Sequence, residues 1–134
     1  MTMAELTPEQ IELLHSKVFG AVATLKADGT PQTSIVWIDT DGEHVIFNTR
    51  VDRAKFKHLK RDPRISVAVF DPEVVYDYFE VEGTAELVEE GANEQIHELS
   101  RKYTGNDFHT AEQRVTVKVT PTRIFEYRSP SASR

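Results

Sequence analysis

Polar and apolar residues alternate with a period of two through most of this chain, and three stretches of helical spacing break the alternation. Thr7 reads as an N-cap, with Pro8 at the first helical position and Gln10 three residues on. Ile11, Leu14 and Val18 then form a stripe, so a first helix is expected to end near Lys17. Val18 to Leu25, rich in β-branched and small residues, reads as a strand closed by the turn Ala27-Asp28-Gly29-Thr30. Pro31 opens a second strand, Gln32 to Asp39, with Thr33, Ile35 and Trp37 on one face and Gln32, Ser34, Val36 and Ile38 on the other. Asp41-Gly42 is a second hairpin turn, and His44 to Thr49 a third strand.

The pattern changes period after Asp52, which reads as the N-cap of a second helix that must stop before Asp62-Pro63. Ile65 to Phe70 is a fourth strand, and Asp71-Pro72 a break. Tyr76 to Val88 alternates again, with Gly83 placed mid-strand where a bulge or barrel bend is expected. Ala92, Ile96, Leu99 and Tyr103 recur at helical spacing up to Gly105. Val115, Val117 and Val119 belong to a last strand that Pro121 is expected to interrupt, with Ile124 to Tyr127 resuming it. There is no repeated βαβ unit. The pattern therefore predicts a mainly β fold: a six-stranded antiparallel barrel with about three short flanking helices, since closure removes exposed sheet edges. Residues 1–128 form a single domain on this reading, and 129–134, SPSASR, a disordered tail.

Composition narrows the function classes. The 134 residues suffice for one core, and 39% hydrophobic with 28% charged residues is ordinary for a water-soluble domain. No apolar run reaches the length of a membrane span, the N-terminus lacks a signal-peptide pattern, and there is no cysteine, so cytoplasm is the expected compartment. Charge is where the chain becomes specific. The formal net charge is −6, yet seven of the sixteen Lys and Arg lie between Arg50 and Arg64, against only Asp52 and Asp62. A general nucleic-acid binder carries a basic balance as well as a basic patch, so a local patch in an acidic chain favours a small anionic ligand.

That patch sits at a strand-to-helix turn. With Asp52 as N-cap, Arg53, Ala54 and Lys55 take the first three helical positions, whose amides lack intrahelical acceptors and can cradle an anion. Phe56 and Leu59 form the inward stripe, Arg53 and Lys55 flank it, and Thr49 offers a hydroxyl from the strand end. Lys57, Lys60 and Arg61 either face water or extend the site. The five histidines show no metal-ligand spacing and are expected as surface or satisfied residues, with His109 a candidate proton donor after a loop. Trp37 is expected in the core, Tyr78 at a groove rim, and the row Glu80, Glu82 and Glu86 on a solvated strand face. No nucleophile motif and no metal site is visible.

The run FNTRVDRAKFKHLKRDPRISVAVFDP resembles the pyridoxamine-5′-phosphate-oxidase-like split β-barrel superfamily, of the FMN-binding split-barrel kind. The segments GAVATLKADGTPQTSIVWIDTDGEHVIFNT, YFEVEGTAELVEEGA and KYTGNDF extend the resemblance over Phe19 to Phe125. Among its branches the chain looks most like the deazaflavin (coenzyme F420)-dependent oxidoreductases. The resemblance implies a homodimer with the cofactor in a groove between subunits. It carries over Asn48 and Thr49 as strand-end contacts, Arg53, Ala54 and Lys55 as helix-start contacts, and Gln32, Thr33, Ser34, Ile35 and Val36 as the wall beside the ring system. Tyr78, with Tyr76 and the Lys102-Tyr103 region, is expected to reach the groove from the partner subunit. The helix start of the FMN oxidases usually reads Ser/Thr, Arg, Lys; here it reads Arg-Ala-Lys, which favours F420 over FMN. The implied reaction is hydride transfer from the reduced deazaflavin to a small unsaturated or conjugated substrate. The alternatives are an FMN-dependent oxidase or reductase and a non-catalytic F420-binding protein. Lys57, Lys60 and Arg61 would serve an anionic cofactor tail or simply face solvent.

Overall fold

The computed structural model describes residues 4–128. Its elements are α1 (Pro8–His15), β1 (Phe19–Leu25), β2 (Pro31–Trp37), β3 (Asp39–Thr40), β4 (Val45–Arg50), α2 (Ala54–Arg61), β5 (Arg64–Phe70), β6 (Tyr78–Val88), α3 (Ala92–Thr104) and β7 (Arg114–Tyr127). The seven strands form one sheet in the order β2-β1-β5-β6-β7-β4-β3, with every neighbouring pair antiparallel. The sheet curls until β2 approaches β4, giving the split barrel. Inward-pointing residues such as Val22, Phe47, Val67, Val81 and Val117 are fully buried, as their alternation requires. The predicted tail lies outside the described residues.

Seven strands replace the expected six because the second predicted strand is cut at Ile38. Its carbonyl accepts from the Lys102 ammonium (2.7 Å) and its N–H donates to the Tyr103 hydroxyl (3.1 Å). These α3 side chains substitute for ladder partners, and Asp39–Thr40 pairs with β4 instead. The Lys102 ammonium also donates to the Leu14 carbonyl (2.7 Å), and the Tyr103 hydroxyl donates to that of Val18, so α3 ties this corner to α1 and β1.

The last strand is also longer than expected. β7 passes through Pro121 without a break, because the register shifts between Glu82 and Gly83, pairing Gly83 with Pro121 and Glu82 with Arg123. The bulge leaves Thr122 over, and its hydroxyl donates to the Glu82 carbonyl (3.0 Å). A proline at a bulge interrupts little of the ladder. Gly83 is needed there, since a Cβ would run into the Thr120 carbonyl oxygen. At the other end of the chain, α1 starts as its sequence implies. Thr7 accepts the Gln10 N–H (3.1 Å) and Gln10 accepts the Thr7 N–H (2.9 Å), a complete capping box.

Candidate functional site

The turn between β4 and α2 is built by Arg50. Its guanidinium forks onto Asp52 (3.0 and 3.1 Å) and reaches Glu112 (2.7 Å). The hydrogen bonds from Arg50 hold the Asp52 carboxyl below its usual range. Asp52 is thus engaged away from the helix and does not cap it. The N-cap falls one residue later than the sequence implies, on Arg53, with no side-chain cap. The Arg53 N–H closes the turn onto the Arg50 carbonyl (3.1 Å), so Ala54, Lys55 and Phe56 supply the first-turn amides rather than Arg53, Ala54 and Lys55.

Arg53 and Lys55 lack a carboxylate partner among the described residues, although ion pairs are plentiful elsewhere. Lys55 is half-buried, and burial first, then the Arg53 charge, pushes its ammonium pKa down. Two cations and an uncapped helix start therefore converge without neutralisation. They line a cavity of about 610 Å³ that also includes Ser34, Ile35, Val36, Trp37, Asn48 and Thr49.

Of the predicted wall on β2, Ser34, Ile35 and Val36 border this cavity, while Gln32 and Thr33 lie beyond it toward the β1–β2 turn. β2 is an edge strand, so one row of its backbone groups is left unpaired by the sheet. Ile35 is 59% exposed, an apolar side chain beside the cations. Trp37, expected in the core, is half-buried at the cavity, where it stacks on Tyr103 with ring centroids 5.3 Å apart and planes within 5°. Burial drives the Tyr103 phenol pKa up to about 12, and its hydrogen bonds hold the hydroxyl at the Ile38 corner.

Asn48 borders the cavity but its side chain is spent on structure. The amide donates to the Ala92 carbonyl and Gln95 Oε1 (both 2.8 Å), and its oxygen accepts from Arg114 Nε (2.7 Å). Thr49 is buried at the strand end. Ala54 is exposed at the helix start and does not border the cavity. Tyr78 is not brought to the basic turn within one chain. It packs against Tyr127 (5.7 Å) in a separate cleft with Glu9, Gln10, Asp71 and Glu126. Lys57, Lys60 and Arg61 do not border the cavity either: Lys60 lies over the Phe56 ring and Arg61 donates to the Leu25 carbonyl.

Sequence reasoning missed Arg114, Phe108 and Glu112, which complete the cavity. Arg114 lies directly opposite Arg50 in the β4–β7 register, a like-charge pair that an alignment of the two strands would reveal. The histidines hold another grouping that spacing did not suggest. His97 and His109 stack 4.5 Å apart beside Asp107. Their ligand atoms lie within 4.8 Å of one another. His97 Nδ1 accepts the Phe108 N–H (3.1 Å), which puts the proton of the neutral ring on Nε2, and stacked rings do not aim two lone pairs at one point. This geometry favours a loop tie over a metal centre.

Comparison with known proteins places this architecture. The family model described as pyridoxamine 5′-phosphate oxidase matches residues 6–128. An F420 reductase is similar over 90% of this chain and 98% of its own, at 31% identity and a TM-score of 0.80. A conserved hypothetical protein from Mycobacterium tuberculosis is 25% identical, with a TM-score of 0.75, over 98% of this chain and 93% of its own. General stress protein 26 from Bacillus anthracis shares the fold at 19% identity and a TM-score of 0.69, over 89% of this chain and 92% of its own. No helix among the described residues is long and apolar enough to cross a membrane.

Proposed function

The chain belongs to the pyridoxamine 5′-phosphate oxidase family, and we propose that it is an F420-dependent reductase acting on a small unsaturated or conjugated substrate. The observation that carries this reading is the pair Arg53 and Lys55, unneutralised beside the free amides of Ala54, Lys55 and Phe56. That arrangement fits a phosphate, whose charge would restore the balance that Lys55 lacks. The wall of Ser34, Ile35 and Val36 fits a flat ring system, with β2 backbone groups available to its polar edge.

When bound, the reduced deazaflavin would supply the hydride. The chain's own residues place it. Arg53, Lys55 and the helix amides hold the phosphate end. Ile35 would exclude water from one ring face, and Trp37, on the same face of β2 and held by its stack on Tyr103, borders the space left for substrate. Tyr103 does not act as the proton donor on this reading, since its hydroxyl is committed to backbone carbonyls. Two features support F420 over FMN. The resemblance puts Ala54 where the FMN oxidases usually carry arginine, and the F420 reductase is similar over nearly the whole chain.

The active form is a homodimer on this reading. The outer face of β1 and β5 carries small residues in register, Ala21 opposite Ala68 and Ala23 opposite Ser66, with Glu80 and Glu82 beside them on β6. Aromatic residues flank them: Phe19 opposite Phe70, and Tyr78 opposite Tyr127. Such a face suits close approach of a second copy, which would bring its Tyr78 to the groove. Titration of the purified chain with oxidised and reduced F420 and with FMN, followed by fluorescence, tests the assignment. F420 should bind more tightly, and tighter FMN binding would overturn it. Sedimentation should give a dimer; a monomer that binds F420 normally would remove the intersubunit groove.

A further inference from the structure

Beside Arg53 and Lys55 the cavity is lined by two further cations, Arg50 and Arg114, of which Arg50 already carries the Asp52 carboxylate (3.0 and 3.1 Å). Arg50 and Arg114 face each other across β4 and β7, an arrangement of like charges that is unfavourable unless an anion lies between. The Glu112 carboxylate is that anion. One oxygen is 2.7 Å from Arg50 Nη1, and the other is 3.5 Å from Arg114 Nη1. The two contacts are unequal. The first has the length of a charge-assisted hydrogen bond and the second is well beyond it.

Arg114 cannot move to improve its contact. Its Nε is fixed on Asn48, whose amide is fixed in turn on Ala92 and Gln95 of α3. Phe108 packs over the guanidinium at 5.7 Å, and the side chain is only 11% exposed. Glu112 is the more exposed member, 46% exposed on the segment before β7, and its Oε1 also accepts from the Thr110 hydroxyl (3.1 Å). Burial lowers the Arg114 guanidinium pKa, the Glu112 charge opposes that shift, and the Arg50 and Arg53 charges add to it. A buried, firmly held cation thus makes only a long contact with a half-exposed carboxylate from the same chain.

We infer that Arg114 and Arg50 form a second anion subsite of this cavity, selective for a carboxylate, and that Glu112 occupies it until a ligand carboxylate takes its place. The inference rests on the reading of the cavity as an anion site, but not on the identity of the cofactor. The internal carboxylate shows what chemistry the subsite accepts: a planar group spanning two guanidinium ions. In the exchange Glu112 swings to solvent and no bond is made or broken.

Solution NMR of the whole chain, titrated at constant ionic strength with glutarate and separately with inorganic phosphate, tests this. Glutarate should move the Arg114 Nε–H and Glu112 amide signals, and phosphate those of Ala54 and Lys55. Glu112→Gln should tighten glutarate by about threefold, the scale of one partly exposed ion pair, and by more than it tightens phosphate. Arg114→Gln should abolish the glutarate response. Unchanged glutarate affinity in Glu112→Gln, or an equal gain for both anions, overturns the proposal. Should Arg114→Gln fail to fold, the Glu112→Gln comparison decides alone. If phosphate leaves Ala54 and Lys55 unmoved while glutarate still moves Arg114, the cofactor reading fails and the subsite stands. Adding saturating F420 before glutarate separates two sources of the carboxylate. A lost response assigns it to the cofactor and a retained one to the substrate.

Discussion

Two helix starts in this chain are built to opposite specifications. At α1, Thr7 and Gln10 exchange bonds with each other's backbone, Pro8 removes one free donor, and Glu9 places a negative charge in the first turn. At α2, no side chain caps the helix, the first turn contains no acid, and Arg53 and Lys55 stand at its mouth. The first end is closed by its own sequence. The second keeps its amides available and adds cations to a positive dipole end, which weakens the helix by itself. Stability is forgone at one turn and secured at the other, and a bound anion is what would make the second arrangement favourable. Side-chain pairing at a helix start thus separates a structural end from a binding end.

The contrast can be broken from either side. Lys55→Ala removes a charge-assisted contact and should cost the anionic cofactor about 1.5–3 kcal/mol of binding. Thermal unfolding should change little or rise, because Arg53 loses a like-charged neighbour. Normal cofactor binding by this variant would move the phosphate site elsewhere. Arg53→Asp converts the open end into a capped one. It should stabilise the chain by about 1 kcal/mol while sharply weakening cofactor binding, and urea unfolding beside a fluorescence titration reads both. A stabilised protein that still binds as wild type would show that the open end has no role in binding. Thr7→Ala damages the closed end alone: a loss of about 1 kcal/mol in urea unfolding, with cofactor affinity untouched.

The smallest effect is in pH. The Lys55 pKa lies below its ordinary 10.5 in the free protein, so the folded state binds fewer protons there than the unfolded chain. The penalty is fully present at pH below the folded pKa and fades as pH rises through it toward 10.5. Stability of the free protein should therefore rise slightly over that alkaline window. A bound phosphate raises the pKa and should remove the rise. Thermal melts across the window, with and without phosphate, check both. An identical slope in the two series would detach Lys55 from the anion.

Much of this was legible in the chain. The Thr7–Gln10 box, the turn glycines Gly29 and Gly42 and the end of α3 at Gly105 are local matters, decided within a few residues. So was the existence of α2, whose Phe56 and Leu59 form its buried face. Errors arose where another side chain outbid the expected partner. Asp52 has every property of a cap, but Arg50 takes its carboxylate. The strand through Ile38 looks continuous, but Lys102 and Tyr103 arrive from α3 and end it. Trp37 looks like core, but its ring finds Tyr103 at the cavity rim.

The sequence by itself determined the alternating strands, the existence of α2 and the excess of charge at its start, because backbone sterics and side-chain period act between near neighbours. Tertiary structure alone decided which cations remain unpaired. Arg50 pairs with Asp52 two positions away and with Glu112 62 positions away, and Arg114 is fixed by a residue 66 positions away, while Arg53 and Lys55 meet no carboxylate among the described residues. Charge is a property of each residue, but its compensation depends on distance in space, and only the curled sheet brings β4, α2 and β7 to one cavity.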